Sequence, residues 1–185
     1  EKNTPFTFTT SLADSLIPAS SRSGRLLDIG CGTIPLFLMN VTFAEKYGID
    51  PVLAEETTDG ITLHRIPFND NTVLPFRNDF FDVVTMLAVF EHLGHERLQR
   101  VLIEIKRVLK PGGRFIMTTP SPLADLPLKI MAHTHLVSAA EIEEHKGVYD
   151  HHMISKYLLD ASFSKENIRI GYFEAFFNTW AYCVK

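Results

Sequence analysis

Residues 81–87 form a short run that is nearly all apolar. The run is far too short to span a membrane. Alternation with polar residues, the mark of a strand with one wet face, is missing from it. A strand of this kind belongs at the centre of a parallel sheet covered on both faces. Parallel strands need helical crossovers, and the flanking sequence supplies one. Over residues 95–110, Leu98, Val101, Leu102, Ile105, Val108 and Leu109 recur at helical spacing, with Arg97, Arg100, Glu104 and Lys106 between them. Pro111-Gly112-Gly113 is expected to stop this helix, and residues 114–119 read as the next strand.

The same alternation extends in both directions. Residues 25–29, 46–49 and 61–66 read as strands, and residues 35–39 as a helix opening with Pro35 in its first turn. An irregular entry with one short helix, 11–16, precedes them. A helix over 153–161 and two strands, 168–174 and 180–184, around a turn near Asn178 close the chain. The prediction is an α/β fold: a Rossmann-like three-layer sandwich with a mostly parallel seven-stranded sheet and a C-terminal antiparallel hairpin. At 185 residues, a single domain over 1–185 is expected.

Composition narrows the function classes. The net charge of −4 argues against a dominant nucleic-acid surface. An apolar content of 45% excludes a disordered chain. No apolar run approaches the ~18 residues of a membrane-spanning helix. Two cysteines, Cys31 and Cys183, cannot build a disulfide framework, which points to a reducing compartment and a cytoplasmic location. The chain opens at Glu1 without a leader pattern or an initiator Met, so the natural N-terminus is expected to lie upstream.

The strand at 25–29 runs into a glycine turn, Gly30-Cys31-Gly32. Glycines there let the backbone approach a ligand at the carboxyl end of the sheet. By itself the pattern fits a tight strand-to-helix turn equally well. The acids that follow favour a ligand. Asp50 ends the second strand, and an ionised carboxylate there can accept both hydroxyls of a ribose. Asp70 follows the third strand, where an acid can accept from an adenine amino group. A dinucleotide fits less well, because Pro35 stands where the fingerprint G-x-G-x-x-G needs its third glycine. Asp28, just before the glycines, would repel a pyrophosphate and attract an amine.

Four blocks carry a specific resemblance: 26–33 (LLDIGCGT), 48–50 (GID), 70–84 with 87–93 (DNTVLPFRNDFFDVV, LAVFEHL) and 104–120 (EIKRVLKPGGRFIMTTP). Together they resemble class I S-adenosylmethionine-dependent methyltransferases, most nearly the type 11 subgroup around the ubiquinone-biosynthesis enzymes. The resemblance implies that Asp28, Gly30, Cys31 and Gly32 line the methionine side of S-adenosylmethionine. Asp50, followed by Pro51, then meets the ribose. Asp70 and Asn71 meet the adenine, and the Leu87 carbonyl meets the methionine amine. Two features depart from the family. Ile34 stands where a third glycine is usual, and residues 51–60 are short for the family's second helix.

Methyl transfer needs alignment above all, and a base only where the acceptor must lose a proton. Glu91 and His92, just past the fourth strand, are the candidate catalytic pair, with a plain helix entry as the alternative reading. Residues 120–150 are expected to form a substrate lid. Across them and their edge lie His133, His135, His145, His151 and His152, without metal-ligand spacing, so no metal is expected. The implied function is methyl transfer to a small-molecule acceptor. The competing readings are a non-catalytic S-adenosylmethionine-binding protein and a nicotinamide-dependent oxidoreductase.

Overall fold

A computed structural model describes residues 5–53, 57–58, 60–124 and 149–185. Its strands are β1 (Arg25–Ile29), β2 (Glu45–Asp50), β3 (Thr57–Thr58), β4 (Ile61–Arg65), β5 (Phe81–Leu87), β6 (Leu109–Pro120), β7 (Ile168–Phe173) and β8 (Asn178–Val184). They form one sheet in the order β3-β4-β2-β1-β5-β6-β8-β7. The five strands from β4 to β6 in that order are parallel, and β3, β8 and β7 are antiparallel to their neighbours. The helices are α1 (Pro5–Ser15), α2 (Leu36–Asn40), α3 (His95–Val108) and α4 (His151–Asp160).

Alternation along the strands builds the three layers. Successive side chains point to opposite faces. Leu27, Val84, Phe115 and Met117 therefore pack on one face with Leu98, Val101 and Ile105 of α3 and with Ile154 and Leu158 of α4. Leu26, Val83 and Ile116 pack on the other with Ala13 of α1 and with Phe37 and Leu38 of α2. Glu96 in the first turn of α3 and Lys106 and Arg107 in its last complement the helix dipole.

Several boundaries differ from the sequence expectation. α1 begins six residues before the expected start at Ser11. α3 ends at Val108, before the Pro-Gly-Gly triplet, because fully buried Leu109 already pairs with Phe81 in the sheet. Pro111-Gly112-Gly113 is instead an irregularity inside β6, with Gly112 at φ 77°. The hairpin turns at 174–177, and Asn178 is already in β8, paired with Phe173. The two-residue β3 brings the sheet to eight strands, in the stretch already noted as short for a helix. The expected lid over 120–150 falls mostly on 125–148, which lie outside the described residues.

The topology decides where a ligand can sit. From β1 the chain steps to β2 on one side, and β5 then enters on the other. The loops leaving β1 and β5 therefore diverge and open a crevice at their carboxyl ends.

Candidate active site

A cleft of about 570 Å³ occupies that crevice. Gly30 lines it from the β1 exit, and Asp50 and Pro51 from the β2 exit. Pro67 and Phe68 follow β4, and Ala88, Val89, His92 and Leu93 follow β5. Arg97, in the first turn of α3, completes the lining.

The glycine loop is held by main-chain bonds. The N–H groups of Gly30 and Cys31 both donate to the Ile49 carbonyl, at 2.8 and 3.2 Å. Gly30 (φ 76°) and Gly32 (φ 71°) lie in the left-handed region that other residues rarely adopt. Their surroundings differ. A Cβ on Gly30 would stand 2.3 Å from Val89 Cγ2, whereas one on Gly32 would meet nothing nearer than 4.0 Å. The space beside Gly32 is thus open to a ligand.

Buried Asp50 ties the two loops together. The Gly32 N–H donates to Oδ2 and the Val52 N–H to Oδ1, both at 3.0 Å. Each carboxylate oxygen accepts more than one hydrogen bond, so capacity remains for a diol. Asp28 is not part of the cleft lining. It is buried within the sheet, where Thr85 Oγ donates to its Oδ1 at 2.6 Å. Burial pushes its carboxyl up to about 7, with the Asp50 charge adding and the Thr85 bond opposing. Cys31 is likewise buried, and desolvation pushes its thiol up to about 12, so it is packing rather than a nucleophile. Leu87 ends β5 half-buried against the α2 side. The next residue, Ala88, sits at φ 54°, its N–H held by the Thr118 carbonyl at 3.1 Å.

Asp70 and Asn71 lie outside the lining. Asp70 pairs with Arg97, Oδ1 to Nε at 3.2 Å, beside a neighbouring groove. The Asn71 N–H donates to Asn69 Oδ1 within its own turn. Glu91 and His92 share a short 3₁₀ turn but face different surroundings. His92 lines the cleft. Glu91 is buried beside it and accepts from Thr119 Oγ at 2.9 Å. Desolvation raises its carboxyl above the usual range, opposed by its hydrogen bonds and by His92. His133, His135 and His145 lie outside the described residues, while the His151 ring stacks on Tyr172 at 4.0 Å between centroids. Among the described residues, no cluster of three or more His, Cys, Asp or Glu could hold a metal.

Pro67, Phe68, Ala88, Val89, Leu93 and Arg97 were not among the sequence candidates. Arg97 carried no signal there, since a charge on a helix's polar face reads as solvated. Thr85 did carry one: a hydroxyl inside an apolar strand needs a buried partner, and Asp28 is that partner.

Comparisons with known proteins agree with this geometry. Residues 27–117 match the family described as methyltransferase domain, type 11. A putative methyltransferase of Encephalitozoon cuniculi is 33% identical over 98 residues, covering 52% of this chain and 45% of that protein. A demethylmenaquinone methyltransferase of Symbiobacterium thermophilum is 33% identical over 106 residues, covering 50% and 41%. The chain thus spans less than half the length of either relative. A solved Thermotoga maritima structure, described as an S-adenosylmethionine-dependent methyltransferase and possible histamine N-methyltransferase, superposes with TM-score 0.69 at 16% identity. The superposition covers 97% of this chain and 89% of that one, and at such identity it speaks for the fold. The glycine loop and the acid at the end of β2 thus lie within the span, just under half of the chain, that is similar to the type 11 methyltransferase domain.

Proposed function

We propose that this protein transfers a methyl group from S-adenosylmethionine to a small-molecule acceptor. The observation that carries the reading is the joint made by Asp50. One carboxylate braces both the glycine loop and its own turn, beside open space at Gly32. That space is a cradle a side chain would fill, and the diol-accepting acid stands next to it. S-Adenosylmethionine supplies there a methyl group activated on a sulfonium. The chain's residues do the rest. Asp50 and Pro51 hold the ribose. The backbone of Gly30, Cys31 and Gly32 and the Leu87 carbonyl face the methionine end, with the Asp28 carboxyl beneath. Asp70 and Asn71 serve the adenine end.

On the opposite wall, His92 lines the cleft, where it would accept the proton of an acceptor that must lose one. Glu91, fixed by Thr119, is the buried acid behind it. A small-molecule acceptor is supported by the net charge of −4 and by the acceptor in the name of the Symbiobacterium relative. A cytoplasmic location is supported by two buried free cysteines and by the lack, among the described residues, of a helix able to cross a membrane.

Calorimetry with S-adenosylhomocysteine and with NAD, followed by transfer of labelled methyl to quinol and amine acceptors, tests the reading. Binding of the first ligand alone, with label appearing in an acceptor, is expected. A folded chain that binds NAD and not S-adenosylhomocysteine overturns it. Binding without transfer to any acceptor leaves a non-catalytic cofactor-binding protein.

A further inference from the structure

We propose that a row of polar groups where β6 ends and β8 begins, centred on buried Thr179, holds a hydrogen-bond-donating group of the methyl acceptor, a hydroxyl or an amine and not an anion. Naming the occupant an acceptor rests on the proposed function, whereas the row itself stands on packing. Thr119 of β6 is paired with Thr179 of β8, and Thr179 with Tyr172 of β7. Side chains of directly opposed residues share a face of the sheet. Here it is the face that α3 and α4 cover, because Ala181 and Cys183, next on that side of β8, pack there. Thr119 carries the row toward the cleft. Its Oγ donates to Glu91 Oε2 at 2.9 Å, and the adjacent His92 lines the cleft. At the far end the His151 ring, from the first turn of α4, stacks on Tyr172, which is 39% exposed. The row thus runs from beside the cleft to the surface.

Two atoms along it are orphaned. Thr179 is fully buried, yet its Oγ has no hydrogen-bond partner, and neither has the buried Nε2 of His151. Among the described residues, the other buried side-chain atoms in that state are Asp14 Oδ1 and Arg114 Nε. Both belong to groups engaged elsewhere: Asp14 Oδ1 lies 2.9 Å from Arg22, and Arg114 donates through Nη1 to the Leu16 carbonyl. Thr179 has no second polar side-chain atom, so its hydroxyl is unmet altogether. An unmet buried hydroxyl destabilises the fold, and a valine of the same shape would avoid that. Such a group calls for an occupant. Its place agrees with an acceptor. The row sits at the sheet edge where ligands bind, on the side of β5 away from Asp50.

The residues of the row set the class of that occupant. Neither Lys nor Arg is among Glu91, Thr119, Thr179, Tyr172 and His151. Burial holds the His151 ring below its ordinary range, against the pull of Asp150, which favours the neutral imidazole. A carboxylate or phosphate placed here would meet Glu91 with no cation to offset it. A hydroxyl or an amine can donate to Thr179 Oγ or to the Glu91 carboxyl without that penalty.

The test is an NMR titration of the full chain, with and without S-adenosylhomocysteine, using benzyl alcohol, benzylamine and benzoate, probes of one size that differ in the polar group. The alcohol and the amine should bind at least ~10-fold more tightly than benzoate and shift the Thr179 resonances. T179V should weaken benzyl alcohol by about 2–13-fold, the scale of a neutral hydrogen bond, and raise the melting temperature of the ligand-free chain. T179S, which keeps the hydroxyl, should retain the affinity. Benzoate binding as tightly as the alcohol overturns the inference, as does a chain that binds none of the probes. T179V with unchanged affinity and a lowered melting temperature also overturns it, since the hydroxyl then serves an internal water. A chain that binds the alcohol and the amine but not S-adenosylhomocysteine supports the row as a polar ligand site and breaks the cofactor reading alone.

Discussion

The two walls of the cleft are built differently. On the β1–β2 side, the bonds that shape it join Asp50 to Val52 and, across 18 residues, to Gly32, and Gly30 to Ile49. Most of the donors are main-chain N–H groups. On the β5–β6 side, Glu91 meets Thr119 through side chains, and the Ala88 N–H meets both the carbonyl and the hydroxyl of Thr118, partners 28 and 30 residues apart. A wall made of backbone suits a ligand that every member of a family shares. A wall made of side chains can change with the acceptor, since side chains change without disturbing the sheet.

The largest expected effect separates the two glycines. Gly30→Val forces a side chain onto Val89 and into a left-handed backbone. Overpacking and backbone strain of about 1–3 kcal/mol each should lower the urea midpoint steeply. Gly32→Val meets only the backbone strain, so it should stay folded yet lose S-adenosylhomocysteine. Equal destabilisation of the two variants would show that the loop is a turn and nothing more.

The opposite wall should respond in rate. For an acceptor that loses a proton, His92→Ala should cut turnover by ~10²–10⁴ with cofactor affinity preserved. A parallel loss of affinity would move His92 to the cofactor wall. Next in size, Asp50→Ala should weaken S-adenosylhomocysteine by ~10–150-fold in calorimetry. An unchanged affinity in the folded variant would leave Asp50 a brace between loops.

The smallest effect lies beneath the first wall. The Asp28 carboxyl, near 4 when unfolded, is raised to about 7 in the fold, so the native state binds the extra proton. Its contribution to stability is full below pH ~4 and is lost as pH rises toward ~7. Asp28→Asn should flatten that part of the stability profile, measured as melting temperature between pH 4 and 8. A slope unchanged by the substitution would mean that Asp28 titrates normally.

Much of the fold was legible because periodicity is local. Strand β1 and strand β5 follow the expected bounds, and the apolar face of α3 lies where its spacing put it. The misjudged limits have tertiary causes. Leu109 leaves the helix because a sheet partner is available, and Pro111-Gly112-Gly113 kinks a strand that the sheet already holds. At the site, Gly30, Asp50, Pro51 and His92 share one cleft. Asp28 is held under it by a hydroxyl 57 residues away, and Asp70 is turned to Arg97, 27 residues on.

By itself, then, the sequence determined what depends on neighbours in the chain: the strands, the amphipathic helix, and the glycine turn with an acid one strand later. Only the tertiary structure decided which polar groups face the cleft and which lie beneath it. Burial and partner choice arise when strands distant in sequence become adjacent in the sheet. The same carboxylate is a ligand, a brace or a buried acid according to what that packing sets beside it.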